Sequence, residues 1–163
     1  MVITVSDNDL HLFGEGNHLR LYEALGARCL NLDGVSGVSF SVWGPSARRM
    51  SVVGDFNGWD GRRHPMRQLG SSGVWEIFVP GVREGALYQF EMVDAQGHLK
   101  INTDPMGSAF ELPPQRAAVV CDTSRFDWTD QAWMERRRQC DPLRSPMSIY
   151  ELHVGSWKKK SAS

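Results

Sequence analysis

Cysteine is scarce in this sequence, with three residues among 163. Cys29, Cys121 and Cys140 are odd in number and lack the close spacing of metal-ligating pairs. Neither a disulfide framework nor a cysteine-based metal site is therefore predicted. Reduced thiols are expected instead, and they favour a cytoplasmic location.

Charge excess and long apolar runs are also missing. The formal net charge is −1, which gives no reason to expect nucleic acid or an anionic membrane as a partner. No apolar run approaches the ~20 residues that a membrane helix needs. Residues 1–7 lack the basic and apolar regions of a signal peptide. We therefore predict neither a nucleic-acid partner nor a membrane partner.

Motifs for cofactors and catalysis are absent as well. The glycine-rich stretches at 14–16 and 34–37 are not followed by the lysine and hydroxyl residue of a phosphate-binding loop. No cofactor and no metal cluster is predicted. His64 has no serine or cysteine nucleophile beside it. Four acidic residues fall on predicted strands or turns and are assigned to solvated surface, not to catalysis: Asp55, Asp60, Glu76 and Glu91.

What the sequence does contain is a series of short segments with a period of two between residues 35 and 120. Phe40 and Val42 alternate with Ser39 and Ser41. Further short segments follow at 49–56, 74–79, 87–93, 98–101 and 117–120, separated by glycine and proline turns. This pattern is typical of an antiparallel β-sandwich, which we place at residues 31–122.

The two ends of the chain have a different pattern. Residues 1–30 are predicted to form a helical preface, with Ser6 capping a first helix and Asn17 a second one that ends at Gly26. Residues 123–147 are predicted to be a linker that holds one helix, capped by Thr129. Residues 148–157 have a nearly continuous apolar stretch and are predicted to form a strand.

The sandwich segment contains one unusual turn, where Trp59 lies between the turn signals Asn57-Gly58 and Asp60-Gly61. Two interpretations stay open. The ring either folds back onto the core or faces solvent as a flat surface for a ligand. A flat aromatic face suits a sugar ring, which has an apolar C–H face and a rim of hydroxyl groups. Asn57 and Asp60 flank the ring and are candidate hydrogen-bond partners for those hydroxyls.

The residues around this turn resemble a known family. Phe40 to Pro45, Ser51 to Arg67, and Leu87 to Glu91 resemble the N-terminal glucan-binding module, carbohydrate-binding family 48, of glycogen branching enzymes. Ser148 to Trp157 resembles the first strand of their catalytic (β/α)₈ barrel. The resemblance implies an immunoglobulin-like β-sandwich and α-1,4-glucan partners such as glycogen and maltooligosaccharides. It also implies that residues 148–163 are the start of a catalytic barrel, which would be a second partner.

The resemblance also assigns the site residues. In the family, the position of Trp59 is a sugar platform, and a lysine often contacts sugar at the position that Gln89 occupies here. A second platform tryptophan has no match at residues 97–100. We therefore expect weak glucan binding through Trp59, Asn57, Asp60 and Gln89, with no catalytic residue in this chain.

Three functions are compatible with these patterns. The favoured one is the N-terminal part of a 1,4-α-glucan branching enzyme, inactive alone because a barrel needs about 250 residues. The second is a free-standing glucan-binding or regulatory module, and residues 148–157 weigh against it. The third is the N-terminal module of a related debranching or trehalose-releasing enzyme.

Overall fold

A computed structural model describes residues 4–157, and they form two separate units. The first unit comprises residues 4–125 and the second residues 126–157. The first unit contains nine strands: β1 (Gly26–Leu32), β2 (Val35–Trp43), β3 (Ala47–Gly54), β4 (Arg67–Gln68), β5 (Val74–Pro80), β6 (Leu87–Asp94), β7 (Leu99–Asn102), β8 (Ala109–Phe110) and β9 (Ala118–Val119).

The strands build two antiparallel sheets that face each other. Sheet A has the order β1-β2-β5-β4, and sheet B has the order β3-β6-β9-β8. Strand β7 also pairs with β6, on the edge opposite β3. Inward residues at alternate positions fill the space between the sheets, including Val38 and Phe40 of sheet A and Val52 and Phe90 of sheet B. The predicted immunoglobulin-like sandwich is confirmed, because the period of two matches the pleat of each strand.

The N-terminal preface is shorter than predicted. Ser6 caps helix α1 (Asp7–Gly14) as expected, with its hydroxyl accepting from the amide of Asp9. The predicted second helix is only a 3₁₀ turn at Leu21–Glu23, and Gly26 opens strand β1. Pairing of all seven β1 residues with β2 accounts for this difference. A short isolated helix is marginal in water, so the paired strand is the more stable conformation for these residues.

The preface covers the outer face of sheet A through a buried carboxylate. The side chain of Glu76 on β5 is 1% exposed. Its Oε2 accepts from the backbone amides of Thr4 and Val5 at 3.0 and 3.1 Å, and its Oε1 accepts from the guanidinium of Arg67. Burial alone raises the pKa of Glu76, but these hydrogen bonds outweigh burial and lower it below its ordinary value. Glu76, expected on the surface, is therefore a structural residue.

The stretch between the predicted segments at 98–101 and 117–120 contains strand β8, which pairs with β9. A two-residue strand carries too little periodicity to be read from sequence. The sandwich also begins earlier than predicted, at the first residue of β1.

The second unit contains two helices, α2 (Gln131–Gln139) and α3 (Val154–Trp157). The predicted linker helix is present, but its N-cap is Asp130, one residue after Thr129, and no side chain caps it. The predicted strand at 148–157 is wrong for this structure: residues 148–153 have no regular structure, and α3 follows. A strand needs a neighbour for its backbone hydrogen bonds, and no strand within residues 4–157 pairs with this segment.

Candidate functional site

The candidate site is the loop of residues 55–66, which follows β3. Its first part is a 3₁₀ turn at Asp55–Asn57, after which Gly58 and Trp59 both adopt left-handed backbone conformations, with φ of 67° and 61°. A positive φ is ordinary for glycine and costs energy for tryptophan. The amide of Trp59 donates to the carbonyl of Gly54 at 2.9 Å, which closes the turn.

This turn leaves the side chain of Trp59 at the surface. Trp59 is 43% exposed, whereas Trp75, on the regular strand β5, is 6% exposed and donates its indole N–H to the carbonyl of Gly44 at 3.0 Å. Of the two interpretations open from the sequence, the structure therefore favours a solvent-facing ring over a ring folded into the core. A half-exposed indole held on a strained turn suits stacking against a flat ligand.

Asn57 does not lie where the sequence suggested. Its side chain is 2% exposed, and both ends of its amide are used inside the loop. Oδ1 accepts from the amide of Gly54 at 2.9 Å, while Nδ2 donates to the carbonyl of Val52 at 3.0 Å and to Nδ1 of His64 at 2.8 Å. The expectation that Asn57 itself contacts sugar is corrected, because a buried amide with these partners shapes the turn instead.

Asp60 lies in the exposed part of the loop, beside Trp59. Its Oδ1 accepts from the backbone amide and from Nε of Arg62 at 3.0 and 2.8 Å, and its Oδ2 accepts from the same guanidinium at 2.8 Å. These hydrogen bonds from Arg62 lower the pKa of Asp60. Asp60 is thus ionised at neutral pH, and its carboxylate lies beside the exposed guanidinium of Arg62.

The loop is fixed to sheet B at two places. The amide of Val52 donates to the carbonyl of His64 at 3.1 Å, and Ser51 and Pro65 form a β-bridge, which extends the edge of β3. Gly61 lies against the carboxylate of Glu91 so closely that a Cβ there would be 2.1 Å from Oε1. A larger residue at 61 would therefore displace the carboxylate of Glu91, so the second turn signal of the sequence also marks a close packing contact.

Gln89 lies on β6 directly opposite Val53 of β3. Its neighbours Tyr88 and Phe90 point into the core, so alternation places the side chain of Gln89 on the outer face of sheet B, the face that the loop crosses at Glu91. Its Nε2 donates to the carbonyl of Arg116 at 3.4 Å. Gln89 thus shares the outer face of sheet B with Glu91, the residue against which Gly61 of the loop packs.

The position of the missing second tryptophan is the turn between β6 and β7. Asp94 organises this turn, with Oδ1 accepting from the amides of Gln96 and His98 and Oδ2 paired with Nζ of Lys100 at 3.0 Å. The exposed apolar groups beyond it are aliphatic, Leu99 and Ile101. This turn and the strand after it thus carry exposed aliphatic side chains and no tryptophan.

The sequence of the first unit now identifies its family, because residues 24–107, which hold strands β1 to β7 and the Trp59 loop, match carbohydrate-binding module 48 (isoamylase N-terminal domain). The chain belongs to this family. The match covers half of the chain, and it confirms the resemblance that the Trp59 segment indicated.

Similar proteins extend the match beyond the module. The chain is 49% identical over 158 residues to the 1,4-alpha-glucan branching enzyme GlgB of Synechococcus sp. (strain JA-2-3B'a(2-13)), which covers 97% of this chain and 21% of that protein. It is 54% identical over 155 residues to the GlgB of Leifsonia xyli subsp. xyli, which covers 95% of this chain and 21% of the relative. The chain thus spans about a fifth of the length of these relatives.

Among solved structures, the pullulanase from Bacillus acidopullulyticus superposes with a TM-score of 0.50 at 20% identity, covering 68% of this chain and 13% of the pullulanase. This likeness supports the carbohydrate-binding module 48 fold and carries nothing about activity.

Residues 4–157 lack two other kinds of feature. No three histidine, cysteine or acidic side chains there come together as a set of metal ligands. Within the same range, no helix combines the length and the apolar character needed to cross a membrane.

His64 is the residue of the site that sequence reasoning missed. The sequence offers His64 only as a candidate catalytic base. In the structure the centroid of its ring lies 5.7 Å from that of Phe56, and its Nδ1 bonds the side-chain amide of Asn57. The seven-residue separation of Asn57 and His64 gives no signal in a sequence, since only the folded loop brings them together.

Proposed function

We propose that the first unit binds α-1,4-glucans, such as glycogen and maltooligosaccharides, by stacking a glucose ring on Trp59. The observation that carries this proposal is the half-exposed indole on a left-handed turn, which hydrogen bonds hold open to solvent. Membership of the carbohydrate-binding module 48 family supports the same ligand class.

The polar groups around the ring have separate parts in this proposal. Asp60 and its partner Arg62 offer an acceptor and donors for hydroxyl groups at the ring's edge. Gln89 offers an uncharged amide where the family often has lysine, so charge-assisted hydrogen bonds are lost there. Asn57 acts indirectly by holding the turn.

We expect this binding to be weak. A single aromatic platform without a second tryptophan or a lysine is consistent with a dissociation constant on the order of 1 mM, or about −4 kcal/mol. Binding of this strength is useful when many glucan chain ends are present at once, because a large polymer raises their local concentration.

For the whole protein, we propose the function of a 1,4-α-glucan branching enzyme, in which the first unit supplies glucan affinity and docks on the catalytic barrel. The support is the identity of about half of the residues with GlgB proteins over nearly all of this chain. The parent reaction would cut an α-1,4 linkage and transfer the released segment to a 6-hydroxyl. A cytoplasmic location belongs to the same proposal and rests on three cysteines, all of which are free.

The ligand class is tested by titration of the full chain with maltoheptaose and, as the linkage control, with cellohexaose, followed by tryptophan fluorescence and backbone amide shifts. We expect saturable shifts of residues 57–62 with the α-1,4 glucan alone. Equal shifts with both oligosaccharides, or none with either, would contradict α-glucan recognition by this surface.

A further inference from the structure

A continuous path of hydrogen bonds connects the imidazole of His64 with the backbone of Trp59. Nδ2 of Asn57 lies 2.8 Å from Nδ1 of His64, and Oδ1 of Asn57 accepts from the amide of Gly54 at 2.9 Å. The carbonyl of Gly54 in turn accepts from the amide of Trp59, also at 2.9 Å. Every bond in the path lies within the loop or joins it to Gly54, the last residue of β3, so a change at His64 reaches the turn directly.

The path fixes the protonation state of His64. Because Oδ1 of Asn57 faces the N–H of Gly54, the NH₂ group of Asn57 must face the other way, toward the carbonyl of Val52 and Nδ1 of His64. Nδ1 is therefore an acceptor and carries no proton. The imidazole is neutral, with its proton on Nε2.

We propose that neutral His64 is a positioning residue that holds Trp59 in its glucan-binding orientation, and that protonation of His64 releases the turn and weakens glucan binding. This inference rests on the proposed glucan-binding function. It assigns to His64 a role that involves no contact with sugar.

Protonation places a second N–H donor against the NH₂ group of Asn57. Rotating that amide would restore the contact with His64, but it would turn the NH₂ group toward the N–H of Gly54. In either case a buried donor loses its acceptor. Gly58 and Trp59 are both left-handed, and the turn that holds this strained backbone is closed through Gly54. The loss of either hydrogen bond is thus transmitted through Gly54 to the backbone of Trp59.

The charges around His64 favour its neutral form. Burial, and then the positive charge of Arg63, lower the pKa of His64 below its ordinary value of 6.5. The other charged groups on the elements around it are Asp55 on the 3₁₀ turn, the Asp60–Arg62 pair on the loop, the Arg49–Glu91 pair, 3.0 Å apart, on β3 and β6, Arg48 on β3, and Asp94 on β6, which is paired with Lys100. None of these other groups is among the causes of the shift in the pKa of His64.

The first experiment measures maltoheptaose affinity of the full chain between pH 8 and pH 5 for wild type, His64→Gln and His11→Gln. Wild type should bind at least roughly fivefold more weakly below the pKa of His64, since a lost buried hydrogen bond is worth about this factor or more. The glutamine in His64→Gln can accept from Asn57 at every pH, so its affinity should stay constant. His11 is an exposed residue of α1, so His11→Gln should behave like wild type.

A second measurement uses the wild-type chain alone and needs no sugar. Nuclear magnetic resonance should show the amide of Trp59 shifting with pH at the same midpoint as the ring of His64. An amide that stays unchanged while His64 titrates would overturn the inference, as would an equal pH dependence of affinity in wild type and His64→Gln.

The two measurements separate the inference from the function on which it rests. If maltoheptaose fails to bind at any pH while the amide of Trp59 follows His64, the proposed function fails and the positioning role of His64 in the loop stands. If the sugar binds with the same affinity from pH 8 to pH 5, the glucan function stands and the inference fails.

Discussion

The phenol of Tyr88 donates to the carboxylate of Asp104 across 2.6 Å in the interior of the first unit, where both side chains are almost fully buried. The other oxygen of Asp104 accepts from the amide of Met106 at 2.8 Å. Burial raises the pKa of both Tyr88 and Asp104. The pair fastens β6 to the loop after β7, which borders the first residues of β1.

Removing the phenol oxygen should destabilise the sandwich. Tyr88→Phe leaves the buried oxygen of Asp104 without its donor, and we expect the free energy of unfolding to fall by about 2 kcal/mol. Tyr22→Phe, at an exposed tyrosine, is the control and should change it by less than about 0.5 kcal/mol. Chemical denaturation of both variants checks this, and equal effects would mean that the buried pair contributes nothing specific.

Glu76 provides a test of the contact between the preface and sheet A. In the wild type, N–H donors face the carboxylate of Glu76, and Glu76→Gln places an NH₂ group against some of them. We therefore expect the free energy of unfolding to fall by about 3 kcal/mol at neutral pH. The pKa of Glu76 is lowered in the folded state, so its stabilising contribution is present above its ordinary pKa of 4.5 and is lost as the pH falls through the folded value.

Denaturation at several pH values measures this contribution. The difference between wild type and Glu76→Gln should shrink as the pH falls below 4.5. The exposed Glu135 on α2 supplies the control variant, Glu135→Gln, with an expected change below about 0.5 kcal/mol. A constant difference at all pH values would show that the charge of Glu76 is not what stabilises the preface.

Asn57 illustrates which features of this site the sequence predicts and which it does not. The turn signals predicted the loop that exposes Trp59, because glycine at 58 and polar neighbours restrict the backbone in a recognisable way. The direction of the Asn57 side chain depended on partners that only the folded loop supplies, namely Gly54 and His64. A polar residue beside a platform therefore predicts the turn, not its own contact with ligand.

The fold, too, is predictable from the sequence only in part. Alternation over β2, β3, β5 and β6 predicted the sandwich, since those strands are seven to nine residues long and supply core residues at alternate positions. The start of β1 instead has the pattern of a helix end, because a glycine with positive φ, such as Gly26 at 95°, is typical of a helix C-terminus. Residues 148–157 carry an apolar stretch typical of a strand, but a strand forms only beside a partner.

The two units give a prediction about truncation. A chain that ends at Arg125 should keep a cooperative thermal transition, because the buried core residues all precede residue 121. It should also be more soluble, since residues 126–157 carry ten exposed large apolar side chains. Calorimetry and sedimentation of both chains test this. Loss of the cooperative transition would show that residues after 125 belong to the core.

The 163-residue chain should form no α-1,6 linkages from amylose. A retaining transfer needs two carboxyl groups about 5 to 5.5 Å apart on either side of the scissile bond. Asp60 of the loop and Glu91 of β6 are each paired with an arginine, Asp60 with Arg62 and Glu91 with Arg49. Branch-linkage analysis of treated amylose measures the activity, and any reproducible gain over a blank without protein would contradict the prediction.

The most direct test of the glucan-binding claim is the affinity of three tryptophan variants for maltoheptaose, measured on folded protein. Trp59→Ala should abolish measurable binding, because removing a central aromatic anchor costs about 2 kcal/mol or more. Trp43→Ala removes a tryptophan that is 53% exposed, somewhat more than Trp59, and that packs edge-on against Phe13, and it should bind like wild type. Trp75→Ala should lower thermal stability, since its ring is in the core. Wild-type affinity in Trp59→Ala, with the fold intact, would contradict the account and place the glucan surface elsewhere.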